Sequence, residues 1–129
     1  MIALSAYTIK ITWSKFSNWQ EKEKAKIPEE SGVYEFYVGL EGGEKRRIYV
    51  GKAENLKAVY LAHLGDDEPN ECLKNHLKKH VWYYRYAIIE NKADREDAEL
   101  GLYRAHSYEC NKIEPPGSGR KSFVINEDP

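Results

Sequence analysis

Apolar residues recur along this chain at two different periods, and the switches between them outline the elements. Residues 6–13 (AYTIKITW) alternate apolar and polar side chains, which reads as a strand or extended arm. Ser17 is placed to cap a short polar helix through residue 24, pinned by Phe16 and Trp19 and ended by Pro28 and the 29–32 stretch. Strands are expected at 33–38 (VYEFYV) and 47–50 (RIYV). Gly39, Gly42 and Gly43 lie between them, so the pair reads as a β-hairpin with a longer loop. Gly51 closes the second strand. Helices follow at 54–64, stopped by Gly65, and at 70–80. Residues 81–89 (VWYYRYAII) are rich in aromatic and β-branched side chains and predict a further strand. A long helix is expected at 93–108, with Ala98, Leu102 and Ala105 on one apolar stripe. From Asn111 onward the chain reads as loop, with Pro115, Pro116, Gly117 and Gly119.

This order predicts an α+β fold, with a small, largely antiparallel three-stranded sheet flanked by helices. At 129 residues one domain is expected: a core at 32–111, an N-terminal extension at 1–31 and a loop-like tail at 112–129. With 41% hydrophobic and 32% charged residues the chain has the means to bury a core.

Charge changes the picture in one respect. The formal net charge is −1, whereas a stand-alone DNA-binding domain is usually basic. Positive charge is nevertheless segregated. Lys74, Lys78, Lys79 and Arg85 fall in a stretch without acidic residues, and Lys45–Arg46–Arg47 forms a second cluster. The first group is the expected contact for nucleic acid, against the plainer reading of a solvated helix face followed by a core strand. The two cysteines, Cys72 and Cys110, lack C-x-x-C spacing. That argues against a cysteine zinc site and favours two reduced thiols, with a single disulfide as the open alternative. No signal-like segment opens the chain and no apolar run is long enough to span a bilayer, so a cytoplasmic protein without membrane association is expected.

Gly32–Val33–Tyr34 begins the first hairpin strand and Tyr49–Val50–Gly51 ends the second. So placed, the two tripeptides resemble the pair that names the GIY-YIG nuclease superfamily. Lys52–Ala53–Glu54–Asn55–Leu56 is similar to the segment that follows the second tripeptide in the nuclease half of the bacterial nucleotide-excision-repair incision enzyme. His63, Glu99 and Asn111 stand where the family carries a His or Tyr, a metal-binding Glu and an Asn. The likeness covers residues 32–111. It departs at Val59, four residues before His63, where the family has an Arg.

The resemblance implies phosphodiester hydrolysis of DNA with one divalent cation, Mg²⁺ or Mn²⁺. Glu99 would hold the cation; the plainer reading is a surface helix carboxylate. Tyr34 would take a proton from the attacking water, with Tyr49 beside it, although both also suit ordinary strand tyrosines. A phenol needs a nearby cation to act as a base at neutral pH, and Lys52 or the metal is the expected source. Lys52 would otherwise bind phosphate. His63 would orient the phosphate or tune Tyr34, and Asn111 would hold the metal end of the site or else cap a helix. Leu56, Val59, Tyr60 and His63 share one helical stripe, so an Arg at 59 would have faced the same cleft as His63. Three functions are therefore open: a DNA endonuclease weakened at Val59, a catalytically inactive domain that binds nucleic acid or a partner protein, or a structural domain with no nucleic-acid role, which the near-neutral charge slightly favours. No sequence-reading module is recognisable, so a partner protein is the expected source of specificity.

Overall fold

The computed structural model describes residues 7–23, 25–120 and 122–128. Nine strands and α-helices follow in order among these residues. They are β1 (Tyr7–Thr12), β2 (Ser17–Asn18), β3 (Gly32–Gly39), β4 (Lys45–Ala53), α1 (Leu56–Leu64), α2 (Glu71–Lys79), β5 (Trp82–Ile88), α3 (Lys92–Ala105) and β6 (Phe123–Asp128). Strands β2, β5, β3 and β4 lie side by side in that order as an antiparallel sheet, and β1 pairs with β6 in a separate parallel ribbon. The fold is α+β, as expected, with β2 as a fourth strand on the sheet edge.

The hairpin forms because its loop supplies the backbone freedom a reversal needs. Gly42 and Gly43 both sit at φ +83°, a region closed to most side chains. Each helix begins at an asparagine whose side-chain oxygen accepts a backbone N–H of the first turn. Asn55 accepts from Ala58, Asn70 from Leu73 and Asn91 from Asp94. Each cap contributes about 1 kcal/mol.

The sheet separates two cores. On one face Tyr34, Phe36, Trp82 and Tyr84 pack against Leu56 and Tyr60 of α1 and Leu73 of α2. On the other, Val33, Val50 and Ala87 meet Ala98 and Leu102 of α3 together with Ile9 and Ile11 of β1. Ala105, expected on the buried stripe of α3, is exposed; the stripe ends at Leu102, where the helix leaves the sheet.

Three expectations need correction. Residues 17–24 do not form a helix. Ser17–Asn18 pairs with β5, Asn18 rather than Ser17 caps a single 3-10 turn at Trp19–Glu21, and residue 24 lies outside the described residues. The tail is not loop-like throughout, because Phe123–Asp128 forms β6. Phe123 and Ile125 of β6 face inward over Gly101 of α3, where a Cβ would overlap Ile125. Finally, Cys72 and Cys110 are joined as a disulfide, with Cα atoms 5.4 Å apart, so they are not two separate reduced thiols. Among the described residues, no helix is long and apolar enough to cross a membrane.

Candidate active site

The candidate site begins at an irregularity in the hairpin. Phe36 pairs with Tyr49 but Tyr37 pairs with Arg47, so Ile48 is an extra residue in β4. Such a bulge re-aims side chains. Here Ile48 and Tyr49 both turn toward the core that holds Tyr34 and Phe36. Tyr34 and Tyr49 therefore share a face, with ring centroids 6.1 Å apart. His63 of α1 completes a triangle, 5.4 Å from each of the two rings.

Tyr34 lies across the neighbouring strand. Its partner there is Gly51, and a Cβ at Gly51 would overlap the Tyr34 hydroxyl. Gly32 is similarly confined, since a Cβ there would overlap the Ala87 carbonyl. Neither glycine has positive φ, so what they supply is space and not an unusual backbone conformation.

The Tyr34 hydroxyl is 2.5 Å from His63 Nε2, and His63 Nδ1 is 2.5 Å from Glu68 Oε2. The other Glu68 oxygen accepts the Asn70 backbone N–H at 3.0 Å, which fixes the carboxylate. Glu68 is buried, at 6% exposure. With Glu68 ionised, Nδ1 carries the imidazole proton and Nε2 is left to accept from the tyrosine. Sequence reasoning missed Glu68. It stands five residues after His63, past the end of α1, where helical spacing predicts no contact.

Burial, followed by the charges of Tyr49, Tyr84 and Glu99, raises the Tyr34 pKa well above its usual value of 10.0. Burial and then Glu99 raise that of Tyr49 as well. Of the two cations expected to lower these phenols, Lys52 and the metal, Lys52 is not among the charges that shift them. Lys52 Nζ is instead 3.5 Å from Glu96 Oε2, one turn of α3 from Glu99. Burial also raises the Glu99 carboxyl, with Lys52 opposing and Glu96 reinforcing the shift. The Glu99 charge thus acts on both tyrosines.

Asn111 does not cap a helix, since α3 ends at Ala105. Its side-chain amide takes both backbone groups of Val50, accepting from N at 2.8 Å and donating to O at 2.9 Å. Cys110 N donates to the Ile48 carbonyl at the bulge. Residues 110–111 therefore seal the open edge of β4 and hold Tyr49 in place.

Val59 is half-buried and lines two hollows at once. One, of about 550 Å³, includes Tyr49, His63 and Glu68; the other, of about 370 Å³, includes Lys52 and Glu96. Of the expected basic patch, Lys74, Lys78 and Lys79 line a third cleft of about 550 Å³ that also touches His63. Arg85 does not join them. It lies on the opposite face, donating to Glu35 at 2.8 Å and to the Tyr37 hydroxyl at 2.9 Å, with its guanidinium 4.2 Å from the Trp13 ring centroid. Strand alternation carried that signal, since Arg85 falls between Tyr84 and Tyr86.

No protein-family model matches this chain, and no solved structure matches it. Over 97 residues it is 34% identical to the UvrABC system protein C of a Hydrogenobaculum species. That stretch covers 73% of this chain and 16% of the relative, so the chain spans only a small part of that protein.

Proposed function

We propose that this domain hydrolyses phosphodiester bonds of DNA as a GIY-YIG-type endonuclease assisted by one divalent cation, and that Val59 slows it. The hydrogen-bonded line Glu68–His63–Tyr34, ending beside Tyr49 and under the influence of the Glu99 charge, carries the reading. Similarity to a UvrABC system protein C supports a nuclease-related role.

Because the buried Tyr34 phenol stays protonated, it acts as a relay and not as a standing phenolate. Tyr34 takes a proton from the attacking water as it passes its own to His63 Nε2. The water oxygen bonds to phosphorus, the bond to the leaving oxygen breaks, and that oxygen takes a proton from solvent. Glu68 holds the imidazole in the accepting tautomer and offsets the charge it acquires. Glu99 fits a hard cation such as Mg²⁺ or Mn²⁺: its carboxylate is half-buried, its pKa is raised, and it has no hydrogen-bond or ion-pair partner among the described residues. Such an ion would supply charge neutralisation at the phosphate. Lys52 must exchange Glu96 for phosphate to contribute. Lys74, Lys78 and Lys79 would hold the DNA backbone, and a partner protein would direct the choice of sequence.

Val59 and the Lys52–Glu96 pair favour a second reading. Together they leave the cleft without a committed cation, as suits a domain that binds nucleic acid or a partner without cutting. Plasmid nicking by the parent, Tyr34→Phe and Val59→Arg, with and without Mg²⁺, separates the two. Metal-dependent nicking that falls about a hundredfold or more in Tyr34→Phe supports the nuclease. Salt-dependent DNA binding without nicking in either the parent or Val59→Arg supports the second reading. Absence of both activities sinks the nuclease and the nucleic-acid-binding domain, and leaves only partner binding.

A further inference from the structure

A second cluster of ligand-type side chains lies at the junction of α2 with the segment after α3. Cys72 and His76 are four residues apart on α2 and so project from one face. Glu109 and Cys110 meet them from the other side, and the ligand atoms of all four residues lie within 4.8 Å of one another. His76 Nε2 is 2.7 Å from Glu109 Oε2, so two potential donors now share one proton. The other Glu109 oxygen is held by Arg46 at 2.8 Å. His76 Nδ1 is 3.0 Å from His80 Nδ1, a contact that orients the ring from behind.

We propose that this cluster is a redox-gated site for a thiophilic divalent cation of the Zn²⁺ class, formed when the Cys72–Cys110 bond is reduced. A dithiol reductant gives up two electrons and two protons to the two sulfurs and is itself oxidised to a disulfide. The cation then displaces the thiol protons and the shared His76–Glu109 proton, and is bound by two sulfurs, one imidazole nitrogen and one carboxylate oxygen. Two thiolates with an imidazole select Zn²⁺ over Mg²⁺, which separates this site from the one at Glu99. The spacing, C-x3-H on a helix and E-C in a distant loop, explains why a search for C-x-x-C pairs passes over it.

Either cross-link, disulfide or metal, ties α2 to residues 110–111, which seal the edge of β4 beside Tyr49. The cluster therefore keeps that edge closed in both oxidising and reducing surroundings.

The test titrates the whole chain with Co²⁺ alone, anaerobically, after reduction by a phosphine, with circular dichroism recorded on each sample. The reduced protein is expected to bind one equivalent with thiolate-to-cobalt charge-transfer absorption that Zn²⁺ abolishes, whatever further Co²⁺ is taken up at Glu99. The oxidised protein gives no such band, Glu99→Gln retains it, Cys72→Ser loses most of it, and His76→Ala binds about tenfold or more weakly. If reduction unfolds the chain, Zn²⁺ is expected to restore the dichroism, since ligand assembly is then coupled to folding. The proposal is overturned if reduced protein binds Co²⁺ no more tightly than a variant with both cysteines changed to Ser. It is equally overturned if no charge-transfer band appears, or if reduced, unfolded protein is not refolded by Zn²⁺.

Discussion

Glu35 and Glu99 are both carboxylates drawn away from water, and the protein treats them in opposite ways. Glu35 is fully buried in the middle of β3 and is saturated. Arg47 and Arg85 donate to it at 3.0 and 2.8 Å, and the Tyr37 and Tyr108 hydroxyls add two more bonds. Burial and then the Glu35 charge raise the pKa of both phenols, so they remain donors. Glu99 is half-buried, its carboxyl is raised by burial, and Lys52, which opposes that shift, makes its own ion pair with Glu96. A buried charge with every lone pair used is structural. A charge that is desolvated yet left with coordination to spare marks a place where something can bind.

The contrast is broken most forcefully at Glu35. Glu35→Ala leaves two guanidiniums without their shared counter-charge. It is expected to cost about 3–5 kcal/mol in urea denaturation, with any nicking per folded molecule unchanged. If Glu35→Ala is as stable as the parent, the network is not what holds this face.

Glu99→Gln should do the reverse, with nicking falling about a hundredfold or more while the fold is kept. Stability supplies the sign. A carboxyl with a raised folded pKa binds its proton more tightly in the native state, so native stability falls as pH rises between the ordinary carboxylate value and the raised one. Melting curves should therefore show Glu99→Gln slightly more stable than the parent at pH 7 and no different below the carboxylate range. A less stable variant at pH 7 would mean that Glu99 has a structural partner.

Val59→Arg sharpens the comparison by adding the charge the cleft lacks. Nicking should rise about ten- to a thousandfold. Because Val59 also packs on the core beneath α1, the same sample should lose about 1–2 kcal/mol of stability. Glu68→Gln, which keeps an acceptor for His63 Nδ1 but removes the charge, should lower kcat about tenfold with KM unmoved, the mark of a positioning residue. The smallest effect is expected from the lysines. Changing Lys74, Lys78 and Lys79 to Glu should weaken DNA binding uniformly and flatten its salt dependence; unchanged affinity would remove this cleft from the account.

What the sequence disclosed and what it hid divide along the same physical line. The hairpin, the fifth strand and the helix starts near Asn55, Asn70 and Asn91 are written in local periodicity and caps. Features that depend on distant partners are not. Strand β6 has clean alternation, yet its partner β1 lies more than a hundred residues earlier, and the nearby prolines and glycines disguised it. The cysteines are 38 residues apart, and only the fold brings them together. Tyr34, Tyr49 and His63 were legible from the two tripeptides and one helical stripe. Glu68 was not, because its contact with His63 is made across a turn. The charged residue in the middle of each core strand, Glu35 in β3 and Arg85 in β5, was the available sign of a cross-strand pair.

The parallel ribbon has a mechanical consequence. Tyr7 pairs with Phe123 and Thr12 with Asp128, so the described chain enters at one end of the ribbon and leaves at the other. Tension applied between residues 7 and 128 therefore loads the ladder in shear. Its backbone bonds, and the anchors from Trp13 and His106 to Glu127, must yield together and not one after another. Pulling residues 7 and 128 apart loads this ribbon first, and the Tyr34 cleft, on the far side of the other sheet, is shielded until it fails.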